Sequence, residues 1–435
     1  DTDMASLAAL VTAADTTVNA LAIIVTDTSV LASEMLALLD ITSVAIDASL
    51  LETVTGTAQD IQLLRAAIDA ENITGAWPGF AAIISEGDDT ASATEISEVA
   101  NPGAIDPASV DVSDLTQITG AATDILATYN LANITAAGLG DETITLSEIG
   151  NAITAGQLLS VVDLVKTTDG GVDARSVLTI NGSFDELVDV AETPATDLLV
   201  AESYDAVVNV IDAEVTAGDI IKIINHAGAG GTVNLQLVSE ITGNISDLTT
   251  IVSGGSLLKS DVAFVVSGTD GGTVGGTAAQ IKVLKDATDG VITATVTTNQ
   301  SGGLSVLNTD TSDVITIIVH DGAVDAGTLA SVAEKTSLAV TASAHTITGT
   351  AEQIAAVVAA DIAAEPTLIV DGNYDAIATA GTFGTVEQVN AIKGHTSGEI
   401  TAAIVSTETA ATLLTLNTVA ATDVISIVVT DGTVT

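Results

Sequence analysis

Carboxylates are the side chains with which this chain could do most chemistry: 57 Asp and Glu stand against 9 Lys and Arg, for a formal net charge of −48. Hard oxygen ligands of this kind suit Ca²⁺. Three recur in similar phrases: Asp47 in VAIDASL, Asp111 in ASVDVSD and Asp173 in GVDARSV. Others cluster at turns, namely Asp88 and Asp89 after Glu86-Gly87, and Asp141-Glu142. These seven are the candidate cation ligands. Neither an EF-hand loop nor a G-G-x-G-x-D nonapeptide surrounds them, so the pattern favours a diffuse cation atmosphere over specific calcium sites.

Other chemistries find less support. His226, His320, His345 and His395 stand singly, without partners at metal-ligand spacing, and read as solvated loop or strand-end residues. No G-x-S-x-G elbow presents a nucleophile. The phrase GTDGGTVGG, Gly268 to Gly276, precedes a helical pattern but lacks the lysine of a phosphate loop and reads as a lengthened turn. Trp77, Tyr129, Tyr204 and Tyr374 form no stripe that would mark a sugar platform. With no Cys, disulfides and thiolate metal sites are excluded. No catalytic residue and no cofactor is nominated, and the expectation is a protein that is not an enzyme.

The acidic field repels nucleic acid and anionic lipid and attracts divalent cations. No apolar run approaches the roughly 18 residues of a membrane span, so membrane insertion is not expected. The first residues, DTDMASLAAL, lack the basic start of a secretory signal. The expectation is therefore that a signal was removed or that this is an internal piece.

The candidate carboxylates have to be positioned by repeated elements. The phrases around Asp47, Asp111 and Asp173 continue at Asn234, Thr293, Thr341 and Thr401, a mean period of about 59 residues. Within each phrase side chains alternate: Val44, Ile46, Ala48 and Leu50 on one face, Ala45, Asp47 and Ser49 on the other, as in a half-buried strand. A second set, including GFAAIISEG, ETITLSEIG, DVAFVVSGT and ISIVVTDGT, is apolar on both faces and predicts deeper strands. Between strands lie helical patterns that open at capping-box spacing: Thr57/Asp60, Ser183/Glu186, Asn244/Asp247, Thr277/Gln280, Thr350/Gln353 and Thr385/Gln388.

Strands alternating with helices imply parallel pairing and right-handed crossovers. The predicted fold is α/β, a repetitive, elongated solenoid of strand–helix coils with a parallel sheet. The whole chain, 1–435, reads as one continuous array of about seven units, with 1–43 and 407–435 as incomplete terminal units. One interleaved sheet is favoured over two, because it keeps Asp47, Asp111 and Asp173 about 10 Å apart instead of about 5 Å. The incomplete ends predict that the array continues in a longer chain or stacks on neighbouring copies.

The phrases ITGAATDILATYNLANITAAGLGDETITLSEIG and ITGTAEQIAAVVAADI resemble repeats of very large cell-surface proteins of marine cyanobacteria and other marine bacteria, of the type needed for flagellum-less swimming. The likeness lies in Ile118 to Gly120, Ile347 to Gly349, and Gly138-Leu139-Gly140-Asp141-Glu142. It runs through most of the chain, while 184–230 and 268–276 depart from it. The resemblance implies an exported tandem-repeat protein of the cell surface and brings no catalytic residues. The expected function is structural: an extracellular repeat protein forming a rod, filament or surface layer, as a segment of a longer chain or a self-stacking subunit. The alternative is an adhesin whose sheet face binds glycan or another cell with calcium.

Overall fold

The computed structural model describes residues 20–75, 79–85, 89–100, 107–134, 139–148, 150–165, 170–209, 214–254, 256–267, 269–270, 273–298, 301–320, 322–405, 409–417 and 422–428. Much of both terminal units predicted from the sequence therefore lies outside the described residues. Two compact units are present, Asp1–Val210 with Lys222–Val233, and Ile211–Ile221 with Asn234–Thr435. Both are built from the same modules.

In a module a short strand runs straight into a helix, and a second strand follows. Thr53–Gly56 leads into Ala58–Asp69, which is followed by Ile73–Thr74. All six helix starts read from capping-box spacing are helix N-caps, each side chain accepting the amide three residues on. The reciprocal bond completes the box at Ser183, Thr277, Thr350 and Thr385. Two more boxes were hidden at the ends of strands, Ser92/Glu95 and Thr154/Gln157. The longer helices lay an apolar stripe on the strands: Ile61, Leu64 and Ile68 in one, Leu158, Val161, Val162 and Val165 in another, all buried.

The fold is α/β and repetitive, with all major pairings parallel. It differs from the single sheet favoured by the spacing argument, because the strands divide among several sheets. In the first unit, Ser29–Leu31, Thr53–Gly56, Ala81–Ile84 and Ser109–Asp111 form one sheet. Thr90–Ser92, Gln117–Gly120, Thr143–Leu146, Val172–Ala174 and Leu198–Val200 form the next. In the second unit, seven strands from Val215–Thr216 to Leu368–Val370 form one sheet, and five from Ala323–Asp325 to Val424–Val428 another.

One rule explains the division. A strand that leads into a helix of eight or more residues and the strand that follows that helix lie in different sheets, whereas Ile292–Thr298 and Ile400–Val405 pair with the strands beyond the short turns Ser301–Val306 and Ala410–Leu413. Gln117–Gly120 leads into Ala122–Tyr129, but Ile134 beyond it bridges to Val110 in the earlier sheet. A third kind of strand joins the two roles. Ala81–Ile84 pairs with the leading strand Thr53–Gly56 on one side and the following strand Ser109–Asp111 on the other. Thr143–Leu146, Ala263–Val266 and Asp375–Ala378 do the same. These bridging strands return about every 59 residues and account for the sequence period.

Modules meet where a strand ends in glycine against an alanine that starts the preceding helix. A Cβ on Gly56, Gly120 or Gly182 would stand 3.0, 3.1 or 2.8 Å from that of Ala32, Ala93 or Ala155. The same contact recurs at Gly243 with Ala217, Gly349 with Ala326, and Gly384 with Ala351. The Ile-Thr-Gly starts read from the sequence are these junctions. Among the described residues no helix is long and apolar enough to cross a membrane.

Candidate functional site

Asp47 and Asp111 end following strands and Asp173 is the middle residue of one; the three strands belong to three different sheets, so the carboxylates form no ladder. Each turns its carboxylate back on its own chain. Oδ1 accepts the amide two residues on: Ser49 at 3.0 Å, Ser113 at 3.0 Å and Arg175 at 3.1 Å. Asn234 accepts that of Gln236 at 3.1 Å. The turn then closes with the amide of Leu51, Leu115, Val177 or Val238 on the carbonyl three residues earlier, and these four side chains are buried. The recurring polar residue thus sets an Asx turn between a following strand and the next leading strand. At Asp173 the Arg175 guanidinium also binds the carboxylate and holds its pKa below the ordinary aspartate value.

Asp88 lies outside the described residues. Asp89 has left-handed backbone, φ 54°, and its carbonyl accepts the amides of Thr116 and Gln117. Asp141 and Glu142 fall at one turn, where Glu142 is buried and its Oε2 accepts the Gly140 amide at 2.7 Å. Among the described residues no group of three or more His, Asp or Glu could hold a metal ion.

The chemistry the sequence did not show sits one residue before each bridging strand and before Asp205–Val208, Val314–Val319 and Val424–Val428, which hold the same place in the chain order. Phe80, Glu142, Tyr204, Val262, Asp313, Tyr374 and Asp423 occupy this position, and all seven side chains are buried. One pocket is filled in three ways. Apolar fillers need no partner. Asp313 receives Lys285 Nζ at 3.1 Å and the Ile292 amide at 2.8 Å. Asp423 receives Lys393 Nζ at 2.9 Å and the Ile400 amide at 2.9 Å. Buried carboxylates are tolerated when paired and hydrogen-bonded in this way. Among the described residues no ammonium reaches Glu142 and its buried Oε1 has no partner; burial pushes its pKa above the ordinary value.

The two tyrosines take histidines. Tyr204 Oη lies 2.8 Å from His226 Nδ1, and Tyr374 Oη lies 3.3 Å from His395 Nδ1. His395 Nε2 is in turn 2.6 Å from Asp361 Oδ2. Burial pushes the Tyr374 phenol up to about 12, raises Tyr204 further, and lowers His226. His226 and His395 are therefore half-buried partners of tyrosine at helix ends instead of solvated residues, whereas His320 and His345 are exposed as expected. The signal was available in the spacing, 22 residues from Tyr204 to His226 and 21 from Tyr374 to His395. Tyr–His–Asp is the order of a proton relay, here closed from solvent at Tyr374, which is 0% exposed.

A recess of about 310 Å³ is lined by Thr277, Ala278, Val296, Thr298, Leu304 and neighbours, without a titratable group, and another of about 440 Å³ by Ser33, Leu36, Leu63, Asp40 and Asp60. Within the glycine-rich phrase Thr269–Asp270 pairs antiparallel with Thr273–Val274. Comparison with protein-family models, curated proteins and solved structures gives no match.

Proposed function

We propose that this chain is a structural repeat protein of the cell exterior, an elongated solenoid that serves as a stretch of rod, filament or surface layer. The observation that carries the reading is the recurring glycine–alanine junction: Gly56 on Ala32, Gly120 on Ala93, Gly182 on Ala155, Gly349 on Ala326 and Gly384 on Ala351. Each module offers its neighbour the same close contact, so modules add without a new interface being invented. Stability in such an array comes from nearest-neighbour contacts.

The charge of −48 fits a surface that keeps neighbouring rods apart, or bridges them through divalent cations, in a salty medium. The buried positions before the bridging strands are core fillers that seal each unit, and the Tyr–His contacts are part of that seal.

Electron microscopy and small-angle scattering of the purified chain in seawater-level salt test the shape. Rod-like particles support the reading, and a compact globule overturns it. Labelling of intact source cells with an antibody tests the location, and a signal only after permeabilisation removes the extracellular assignment. Binding to a glycan array would favour the adhesin instead.

A further inference from the structure

The lysine–carboxylate contacts of this chain fall into two kinds. Lys222–Glu192, Lys259–Asp261 and Lys282–Asp286 are open to water at both ends. Lys285–Asp313 and Lys393–Asp423 are enclosed: the lysine side chains are 11% and 19% exposed and both carboxylates 0%.

The enclosed pairs are built alike. Each lysine stands in the last turn of a helix, Ala278–Asp286 or Val386–His395. Each aspartate stands one residue before a strand, Val314–Val319 or Val424–Val428. Lys285 Nζ is 3.1 Å from Asp313 Oδ1, and Lys393 Nζ is 2.9 Å from Asp423 Oδ2. In both, an isoleucine amide binds Oδ1, that of Ile292 at 2.8 Å and that of Ile400 at 2.9 Å. Lys285 Nζ also donates to the Gly290 carbonyl at 3.2 Å.

Taking two charges out of water carries a desolvation cost that their attraction repays only in part. An amide between the same two side chains removes both charges and keeps the contacts. Its carbonyl oxygen is the Oδ1 that already holds the isoleucine amide, and at Lys285 its N–H still reaches Gly290. The reacting groups are held together by the fold, so the condensation is intramolecular. The isoleucine amide on Oδ1 is also placed to take the negative charge of a tetrahedral intermediate.

We propose that Lys285 and Asp313, and likewise Lys393 and Asp423, condense into side-chain amide cross-links. A proton passes from Nζ to the carboxylate, and the neutral amine attacks Cγ. The Nζ–Cγ bond forms, the Cγ–Oδ2 bond breaks, and the departing oxygen leaves as water with two of the three ammonium protons. One ammonium and one carboxylate become one amide and one water, and nothing is oxidised or reduced. The first link closes a span of 28 residues. Each ties a helix end to a strand start, the kind of constraint a disulfide supplies, in a chain without Cys. The inference rests on the pair geometry and not on the rod reading.

Intact mass spectrometry of the full chain, folded and then denatured for the measurement, tests it. The mass is expected to lie below that of the sequence by two waters, one for each pair. Lys285→Arg and Lys393→Arg keep the charge without the amine, and each is expected to restore one water. Trypsin is expected to leave the chain uncut after Lys285 and Lys393, to yield peptides branched at Asp313 and Asp423, and to cut after the exposed Lys222, Lys259 and Lys282. A mass equal to that of the sequence, with cleavage after Lys285 and Lys393, overturns the proposal and leaves two ion pairs only. A loss of water that survives both arginine changes overturns it too, because the dehydration then lies elsewhere. The parent's mass decides even where a variant folds poorly.

Discussion

Gly243 and Ala217 meet so closely at the starts of two successive helices that a Cβ on Gly243 would lie 2.4 Å from the Ala217 Cβ. Carbon atoms cannot approach that far without the strands parting. The glycine is required by its neighbour and not by its own backbone, since Gly243 is outside the left-handed region. The junction between modules is therefore legible as a pair, a glycine ending one leading strand and an alanine starting the helix before it.

Gly243→Ala is expected to destabilise its unit by about 1–3 kcal/mol, the range for overpacking a filled site. Gly302→Ala serves as the comparison, because nothing lies within 4 Å of a Cβ there; its effect is expected to stay within about 0.5 kcal/mol. Urea unfolding followed by circular dichroism distinguishes the two. Equal effects would mean that the junction has slack that the geometry does not show.

The Asx turns predict a different sensitivity. Asn234 already does the work of Asp47 and Asp111 through the same Oδ1 contact. Asp111→Asn is therefore expected to be neutral, while Asp111→Ala loses the turn contact and about 0.5–1.5 kcal/mol. Asp47, Asp111 and Asp173 lie in separate sheets, so changing all three to Asn is expected to leave calcium titration heats unaltered beyond the loss of three charges. A discrete binding event removed by the triple change would restore them as ligands.

Helix starts and the repeat period were readable, because each is set by local chemistry: a cap three residues from its acid or amide, a glycine at a junction, a turn after an Asx residue. Of the apolar face read at Val44, Ile46, Ala48 and Leu50, only Ile46 and Ala48 are buried, because the strand is no longer than Ile46–Asp47. The distribution of strands among sheets was not readable. It depends on the bridging strands such as Ala81–Ile84, whose two edges serve leading and following strands alike; their sequences set them apart as apolar on both faces but do not say which strands they pair. The seven sealed positions were hidden for a related reason. Phe80, Glu142, Val262 and Asp313 share a place in the fold but no chemistry, so no motif search joins them. Only the partners, Lys285 for one and His395 for another, reveal how differently one pocket can be satisfied.

Asp313 shows what depends on such a partner. Its side chain is 0% exposed and holds Lys285 together with the amides of Ile292 and Asp310. Lys285→Met leaves the carboxylate buried without its counter-charge, and a loss of about 3–5 kcal/mol is expected. The double change to Lys285→Met with Asp313→Leu is expected to recover a good part of it, since an apolar pair avoids desolvation altogether. The exposed pair Lys282–Asp286 is the control, and Lys282→Ala is expected to cost less than about 1 kcal/mol. Chemical denaturation of the four proteins decides.

Two buried groups give stability opposite slopes with pH. Burial lowers His226 from 6.5, so the unfolded chain binds the extra proton first. Stability from this group is complete above about pH 6.5 and falls as pH drops through the interval between the unfolded and folded values. Burial raises Glu142 from 4.5, so the folded chain keeps the proton longer. Its contribution is complete below about pH 4.5 and is lost as pH rises through the folded value. Glu142→Gln keeps the shape without the charge and is expected to raise the melting temperature at pH 7 while leaving it nearly unchanged at pH 4. His226→Gln is expected to flatten the acid limb below pH 6.5. Melting temperatures from pH 4 to pH 8 test both, and a Glu142→Gln variant less stable at pH 7 would show that the carboxylate is ionised and held by a partner.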